Sequence, residues 1–224
     1  MNENVKTMLV IIAGFAIAVF IAISAIGTVY PDGFLLVASD VKSTYTYDVM
    51  IDSSDVISDV TLFLPVSSKK GNSLPGVRIV DGFGYSSGSE MDFELFGAKE
   101  SMMMKVTSKS IRNGRFGSEA DTDVLIDTVS PVLNEYTLNP KSEITKSGDL
   151  IFYNSYIYAK FDAKPDTDVK IIISTTGKNE WNVFSAKENS FTDKITVNLK
   201  GPVSGWIPVK GEMKAGIGDY SYIL

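Results

Sequence analysis

Cysteine and histidine are both absent from the 224 residues of this chain. Without cysteine there is no disulfide bond, no thiolate nucleophile and no zinc site built on sulfur. Without histidine the chain lacks the commonest metal ligand and the side chain that titrates closest to neutral pH. Ser-His-Asp hydrolysis, Cys-His proteolysis and histidine-ligated catalytic metals are therefore excluded. The remaining chemistry depends on carboxylates, lysine, tyrosine or oxygen-bound cations.

Charged residues are missing from one long segment near the N-terminus. None occurs between Lys6 and Asp32, and residues 8–23 contain no polar side chain at all. With Ser24 tolerated, the apolar run reaches residue 26, and a helix of that length rises about 28 Å, close to the thickness of the bilayer hydrocarbon. The run ends at an aromatic residue followed by proline, which suits a membrane interface and a helix end.

We predict a single transmembrane helix at residues 7–29, between a short cytoplasmic tail (1–6) and a linker (30–39). A buried core helix is the first alternative, but such a helix usually has a polar face, which this segment lacks. A cleaved signal peptide is the second, although its apolar region usually has only about 7–15 residues. A processed prepilin would place Gly or Ala after the lysine, whereas Thr7 stands there.

The distribution of charge gives an orientation. Lys6 and the N-terminal amine precede the apolar segment, so the positive-inside rule places the N-terminus in the cytoplasm and residues 40–224 outside the cell membrane. The chain has 21 basic and 27 acidic residues, and without Lys6 and Glu3 the rest keeps the net charge of −6. Such an acidic surface argues against nucleic acid as a partner. We expect the helix to bind the lipid bilayer and the outer region to bind a protein or an envelope polymer.

Small residues recur every four positions inside the apolar segment, at Gly14, Ala18 and Ala22. A stripe of this kind lets two helix backbones approach closely, so it is a candidate helix-packing face. An alanine-rich anchor also produces this spacing by chance, and we favour that simpler interpretation.

Beyond the linker, the pattern is that of β-strands. Apolar and polar residues alternate with period two in residues 45–51, 60–64, 91–96 and 124–129. Glycine, proline and asparagine separate these runs, and no apolar period of 3.6 persists over a helix-length window. The spacing predicts an all-β region with the architecture of a β-sandwich.

Two polar stretches suggest a division of this region near residues 108–149. We predict a long loop from Ser108 to Asp123, and residues 139–149 separate the middle strands from a C-terminal meander. Within that meander, residues 176–179 and 186–189 have the composition of hairpin loops. One large sandwich and two small ones both fit this pattern.

Several segments of the outer region carry a resemblance. They are Val60 to Pro65, Ser155 to Ala159, Gly177 to Trp181, Phe191 to Asp193, and the glycines around Trp206 and Tyr220. In this order they resemble a group of uncharacterised archaeal proteins, mostly from methanogens, that are anchored in the membrane at their N-termini. The resemblance implies a membrane-anchored β-domain but no activity. Members of that group often look glycosylated, whereas none of the eleven asparagines here lies in an Asn-x-Ser/Thr sequon.

Clustered carboxylates are candidate ligands for Ca²⁺. Such clusters occur at Glu119, Asp121 and Asp123 and again at Asp162, Asp166 and Asp168. Neither has the glycine and terminal glutamate of an EF-hand loop, so we favour solvated acidic loops. A carboxylate pair could also hydrolyse glycosides, but sequence spacing establishes no such pair. We therefore predict no catalytic, metal or cofactor site, and no cofactor.

The two tryptophans, Trp181 and Trp206, are candidate ligand-binding residues. Exposed rings beside Asp and Asn would suit stacking against sugars, whereas buried rings would belong to the core. We favour the core, partly because Phe152, Tyr156 and Tyr158 share one strand face.

Three functions follow from these observations. The leading hypothesis is a membrane-anchored, non-catalytic interaction or structural protein of the cell envelope. The second is a carbohydrate or small-ligand binding module, with a Ca²⁺-dependent variant. The third is a subunit of a filament or secretion system that uses the apolar helix for assembly.

Overall fold

The computed structural model describes residues 41–98, 101–183 and 185–220. The predicted transmembrane helix and its small-residue stripe (Gly14, Ala18 and Ala22) lie outside these residues. Within them, no helix is both long enough and apolar enough to cross a bilayer.

The described chain is predominantly β, with antiparallel pairing throughout. The strands are β1 (Lys42–Ser68), β2 (Tyr85–Ser87), β3 (Asp92–Ala98), β4 (Ser101–Thr122), β5 (Thr137–Asn139), β6 (Ser142–Ser147), β7 (Leu150–Asp162), β8 (Asp168–Val183), β9 (Ser185–Lys200) and β10 (Val203–Gly218). Two short helices are α1 (Leu74–Val80) and α2 (Pro131–Asn134). The strand order is β2-β4-β1-β8-β9-β10-β7-β6, while β3 pairs with β4 and β5 with β1. The all-β prediction is thus confirmed.

Strand β1 changes its partner part-way along its length. Residues up to Ser53 pair with β8, and from Ser58 onwards β1 pairs with β7. Because β8, β9, β10 and β7 also pair in succession, the pairings close a circuit of five strands. The opposite edge of β1 pairs with β4, along nearly the whole length of β4.

A shift in register at the change of partner reverses the faces of β1. This shift lies between Ser58 and Thr61 in the pairing with β7: before it, odd-numbered residues such as Val49 and Ile57 are buried, and from Val60 onwards even-numbered residues such as Leu62 are buried. An extra residue in one strand has this effect because successive side chains point to opposite faces. As a result Phe63, an odd-numbered residue, faces outwards.

The core is mostly aliphatic. It takes Ile171 from β8, Ile195 from β9, Ile157 from β7 and Phe116 from β4, all in one cluster. Alternation is regular in β7 to β10, where odd-numbered residues are buried or half-buried and most even-numbered ones are exposed. Residues on both sides of the polar stretch 108–149 therefore pack together in one cluster.

Three local predictions were wrong. Strand β4 runs through most of the predicted loop from Ser108 to Asp123, because its polar residues face solvent while Ile111, Phe116 and Ala120 are buried against β1. The predicted hairpin loops at 176–179 and 186–189 lie within β8 and β9. The expected strand at 124–129 is instead irregular.

Candidate functional site

Five aromatic residues from four strands meet on the outside of the sheet, and we call them the aromatic patch. They are Phe63, Phe96, Tyr156, Tyr158 and Trp206. The register places Phe63 opposite Tyr158 and Tyr158 opposite Trp206, on β1, β7 and β10. Phe96, on β3, completes the row by contacting Phe63. Trp206 and Phe96 are 58% and 60% exposed, values that are unusual for rings of this size.

The rings contact one another mainly edge to face. Phe63 packs at 77° to Phe96 and 79° to Tyr158, with ring centroids 5.6 and 5.7 Å apart. Trp206 packs at 78° to Tyr156 and 66° to Tyr158, at 5.3 and 5.4 Å. Aromatic quadrupoles favour this arrangement, which contributes about 0.5–1.5 kcal/mol per pair beyond area burial. The patch is therefore an uneven apolar surface, and its rings do not form a flat platform of parallel faces.

Lysines lie beside the patch. Lys160 is opposite Ser204, one diagonal position from Trp206, and Lys210 is opposite Asn154. Both lysines are exposed, and neither forms a salt bridge with any residue that the structure describes. The aromatic patch therefore has two lysines without an ion pair beside it, although the chain as a whole has a net charge of −6.

One side of β10 is unpaired beside the patch. Among the strands that the structure describes, residues 203–210 pair with β7 alone, since the ladder between β10 and β9 begins at Gly211. This edge contains Pro208 and ends at Lys210, and proline and lysine are the residues that protect sheet edges against pairing with another strand. Binding here is thus expected through side chains and not through strand addition.

The two tryptophans lie on opposite faces. Trp181 is 4% exposed, on the inner face of β8, so it offers no ring face to a ligand. Its indole nitrogen has no hydrogen-bond partner among the described residues. Trp206 is on the outer face. Phe152, Tyr156 and Tyr158 also share the outer face and not the core, because Ile157 and its odd-numbered neighbours fill the inner face of β7.

No protein-family model, curated protein or solved structure matches this chain.

A segment of residues 123–141, which we call the closing segment, packs against the ends of β1, β8 and β9. Asn179 accepts hydrogen bonds from the Ser43 hydroxyl (2.7 Å) and the Ile126 amide (3.0 Å), and donates to the Ile126 carbonyl (2.9 Å). Glu135 accepts from the Tyr45 hydroxyl and from the Asp127 amide at 2.7 Å. These bonds satisfy polar groups that would otherwise be costly to bury.

At the end of the closing segment, Lys141 and Asp193 form a buried pair. Lys141 Nζ lies 2.6 Å from Asp193 Oδ2, and the two side chains are 4% and 0% exposed. The Tyr153 hydroxyl donates to Asp193 Oδ1 at 2.5 Å, and the Leu138 amide donates to Oδ2 at 2.9 Å. Burial lowers the pKa of Lys141, although Asp193 opposes the shift. Burial also raises the pKa of Tyr153, and the neighbouring carboxylate adds to that rise.

Sequence reasoning missed this pair, although one signal was present. Asp193 stands between Phe191 and Ile195 in a period-two run, at a position where the alternation calls for a buried residue. Lys141 carries no comparable signal.

The candidate calcium ligands are not drawn into one site. Asp121 lies on the exposed part of β4, where it faces Lys42 at 3.4 Å and accepts from the Thr44 hydroxyl at 3.0 Å. Asp162, Asp166 and Asp168 lie around the turn between β7 and β8. Across residues 41–98, 101–183 and 185–220, no group of three or more acidic residues could hold a metal ion.

Proposed function

We propose that this chain is a non-catalytic interaction protein of the cell envelope, anchored by the apolar segment 7–29 and facing outwards, and that the aromatic patch is its binding surface. The observation that carries the proposal is the exposure of Trp206, Phe96 and Tyr156 in one contiguous cluster. Exposed apolar clusters of this kind on soluble domains usually mark sites of interaction.

The geometry of the rings favours a protein partner. Tryptophan and tyrosine are enriched among the residues that dominate protein–protein binding energy. A partner with an apolar centre and acidic groups at its rim would match the aromatic rings and the unpaired Lys160 and Lys210. Sugars bound by stacking need an open ring face, and the edge-to-face packing does not present the rings as one flat stacking surface.

A carbohydrate is the second candidate. Trp206 could stack on one sugar ring while the neighbouring Lys160 and Ser204 bond its hydroxyls. Screening the full chain against envelope glycans, with Trp206→Ala as control, separates this candidate from the first.

We also infer that the five-strand circuit forms one sandwich, with β1, β8 and β9 in one layer and β7 and β10 in the other. The separation of β9 and β10 over residues 196–210 supports this inference, because β9 there pairs only with β8, and β10 only with β7.

Site-specific photocross-linking tests the proposed function. A photoreactive phenylalanine is placed at Phe96, in the patch, or at Thr192, which is also exposed but lies on β9 outside the patch. We expect an adduct with another protein from position 96 and none from 192. Equal labelling from both positions would refute the proposal, and an adduct between two copies of the chain would support the filament-subunit alternative.

Protease treatment of intact cells tests the location independently. We expect residues 40–224 to be cleaved from outside, and mass spectrometry to find the segment 7–29 in the membrane-bound remainder. Protection of the β region, or an N-terminus starting just after the apolar segment, would contradict the anchored, outward-facing arrangement.

A further inference from the structure

The pair of Lys141 and Asp193 has the composition and geometry of a self-reacting site. An amine and a carboxyl group, both excluded from water, stand 2.6 Å apart between Nζ and Oδ2. We propose that the protein joins these two side chains itself, in an intramolecular amide bond between Lys141 Nζ and Asp193 Cγ. This proposal is independent of the binding role of the aromatic patch.

The reacting atoms are already close. Oδ2 is one bond of about 1.2 Å from Cγ, so Nζ lies at most about 3.8 Å from the carbon it would attack. Reacting atoms at about 3–3.5 Å are in the range that makes a bound pair effectively unimolecular. The Nζ atom also lies 4.2 Å above the Tyr153 ring, and it donates to the Leu138 carbonyl, so several contacts hold it over the carboxyl group.

Burial favours the neutral, nucleophilic form of the amine. With the Lys141 side chain 4% exposed, the ammonium form loses nearly all of its hydration, which is the main cause of its lowered pKa. A proton that moves from Nζ to Oδ2 turns the ion pair into an amine beside a carboxylic acid, with no change in total charge. An ion pair without water gains little over its neutral form, because desolvation offsets the Coulomb attraction.

The step balances without any other reagent. Nζ bonds to Cγ, the Cγ–Oδ2 bond breaks, and two of the three ammonium protons leave with Oδ2 as water. Negative charge that develops on Oδ1 is stabilised by the Tyr153 hydroxyl, which already donates to that atom at 2.5 Å. Because Asp193 is fully buried, water has little access to hydrolyse the product.

The bond would give the fold a covalent tie that cysteine cannot supply here. It would link the closing segment to β9 across 52 residues of sequence. A cross-link of this span lowers the entropy of the unfolded chain in the same way as a disulfide.

Mass spectrometry of the purified full chain after tryptic digestion tests the proposal. We expect residues 116–146 joined to residues 188–194, with a mass lower than their sum by one water, because trypsin does not cleave at an acylated Lys141. Recovery of peptides that end at Lys141 and of free 188–194 in place of the joined species would overturn the proposal.

Two variants assign the roles. Lys141→Arg keeps a positive charge beside Asp193 but has no nucleophilic amine, and it should abolish the joined peptide; the same cross-link in this variant would refute the assignment.

Tyr153→Phe keeps the ring and removes the hydroxyl donor. Loss of one oxyanion donor typically slows a reaction about 10²–10³-fold. We therefore expect the joined peptide to form more slowly in newly made Tyr153→Phe protein, and the same digest at successive times measures this rate. An unchanged rate would refute the role of Tyr153.

Discussion

Alanine at Gly211 should destabilise the protein far more than its single methyl group suggests. Gly211 lies on the inner face of β10 opposite Tyr153. A Cβ atom there would stand 2.0 Å from Tyr153 Cζ and 2.4 Å from its hydroxyl oxygen, which is well inside contact distance. The ring cannot move freely, since Tyr153 is 2% exposed and its hydroxyl is bonded to Asp193.

The expected magnitude follows from three contributions. Overpacking of a well-packed core costs about 1–3 kcal/mol. Displacement of the Tyr153 hydroxyl removes a hydrogen bond to a buried carboxylate, which costs about 1.5–3 kcal/mol. Replacing glycine by alanine restricts the unfolded chain and recovers about 0.5–1 kcal/mol. Gly211→Ala should therefore lower the free energy of unfolding by about 2–5 kcal/mol.

Urea denaturation of the purified protein measures this free energy. Gly114→Ala is the matched control, because a Cβ at that position meets its nearest neighbour at 3.4 Å, an ordinary contact. The control should stay within about 0.5 kcal/mol of the natural protein. If Gly211→Ala were as stable as the control, the tight contact between β10 and the Tyr153 ring would be refuted.

Three further predictions concern stability. Trp181→Ala should cost about 3–5 kcal/mol in urea denaturation, because its ring is buried. Trp206→Ala should cost less, about 1–3 kcal/mol, because its exposed ring loses two edge-to-face contacts but little burial; a loss as large as that of Trp181→Ala would contradict the assigned faces. Asn179→Ala should cost about 2–4 kcal/mol, since it leaves several buried groups of the closing segment unpaired, and a neutral result would show that the segment does not need this side chain. Burial raises the pKa of Tyr47 and Tyr153 in the folded state, so their contribution to stability should be constant below the unfolded pKa of about 10 and should fall at higher pH, by up to about 1.4 kcal/mol per tyrosine and pH unit. The lowered pKa of Lys141 acts in the opposite direction but involves a single group, so flat stability between pH 10 and 11 would contradict the expected net fall.

Much of the fold could be predicted because the strands that carry the core alternate strictly. In β7 and β8 every odd-numbered residue with a described side chain is buried, in β9 and β10 the odd-numbered residues are buried or half-buried, and period two is visible in the sequence. Strand β4 was not predicted, because serine, glycine and charged residues surround its buried positions, Ile111 and Phe116. The register shift between β1 and β4 also interrupts the alternation of buried and exposed residues along β4.

The candidate site was only partly predictable. The aromatic patch depends on register, since Phe63 and Trp206 meet only because β7 lies between their strands. Sequence alone could not distinguish the exposed Trp206 from the buried Trp181, since both lie in similar alternating runs. Asp193 meets Lys141 through a tertiary contact between β9 and the closing segment, and no local pattern encodes such a contact.

The most direct measurement of the central claim combines the photoreactive residue at position 96 with a change elsewhere in the patch. Cells that produce the full chain would carry this residue together with either Trp206→Ala or the control Thr192→Ala. Truncation of a binding hot spot costs about 2 kcal/mol or more, so Trp206→Ala should reduce the yield of the adduct at least about tenfold at subsaturating partner. Thr192→Ala should leave the yield unchanged. An adduct that persists at full yield without the Trp206 ring would contradict the assignment of the aromatic patch as the binding surface.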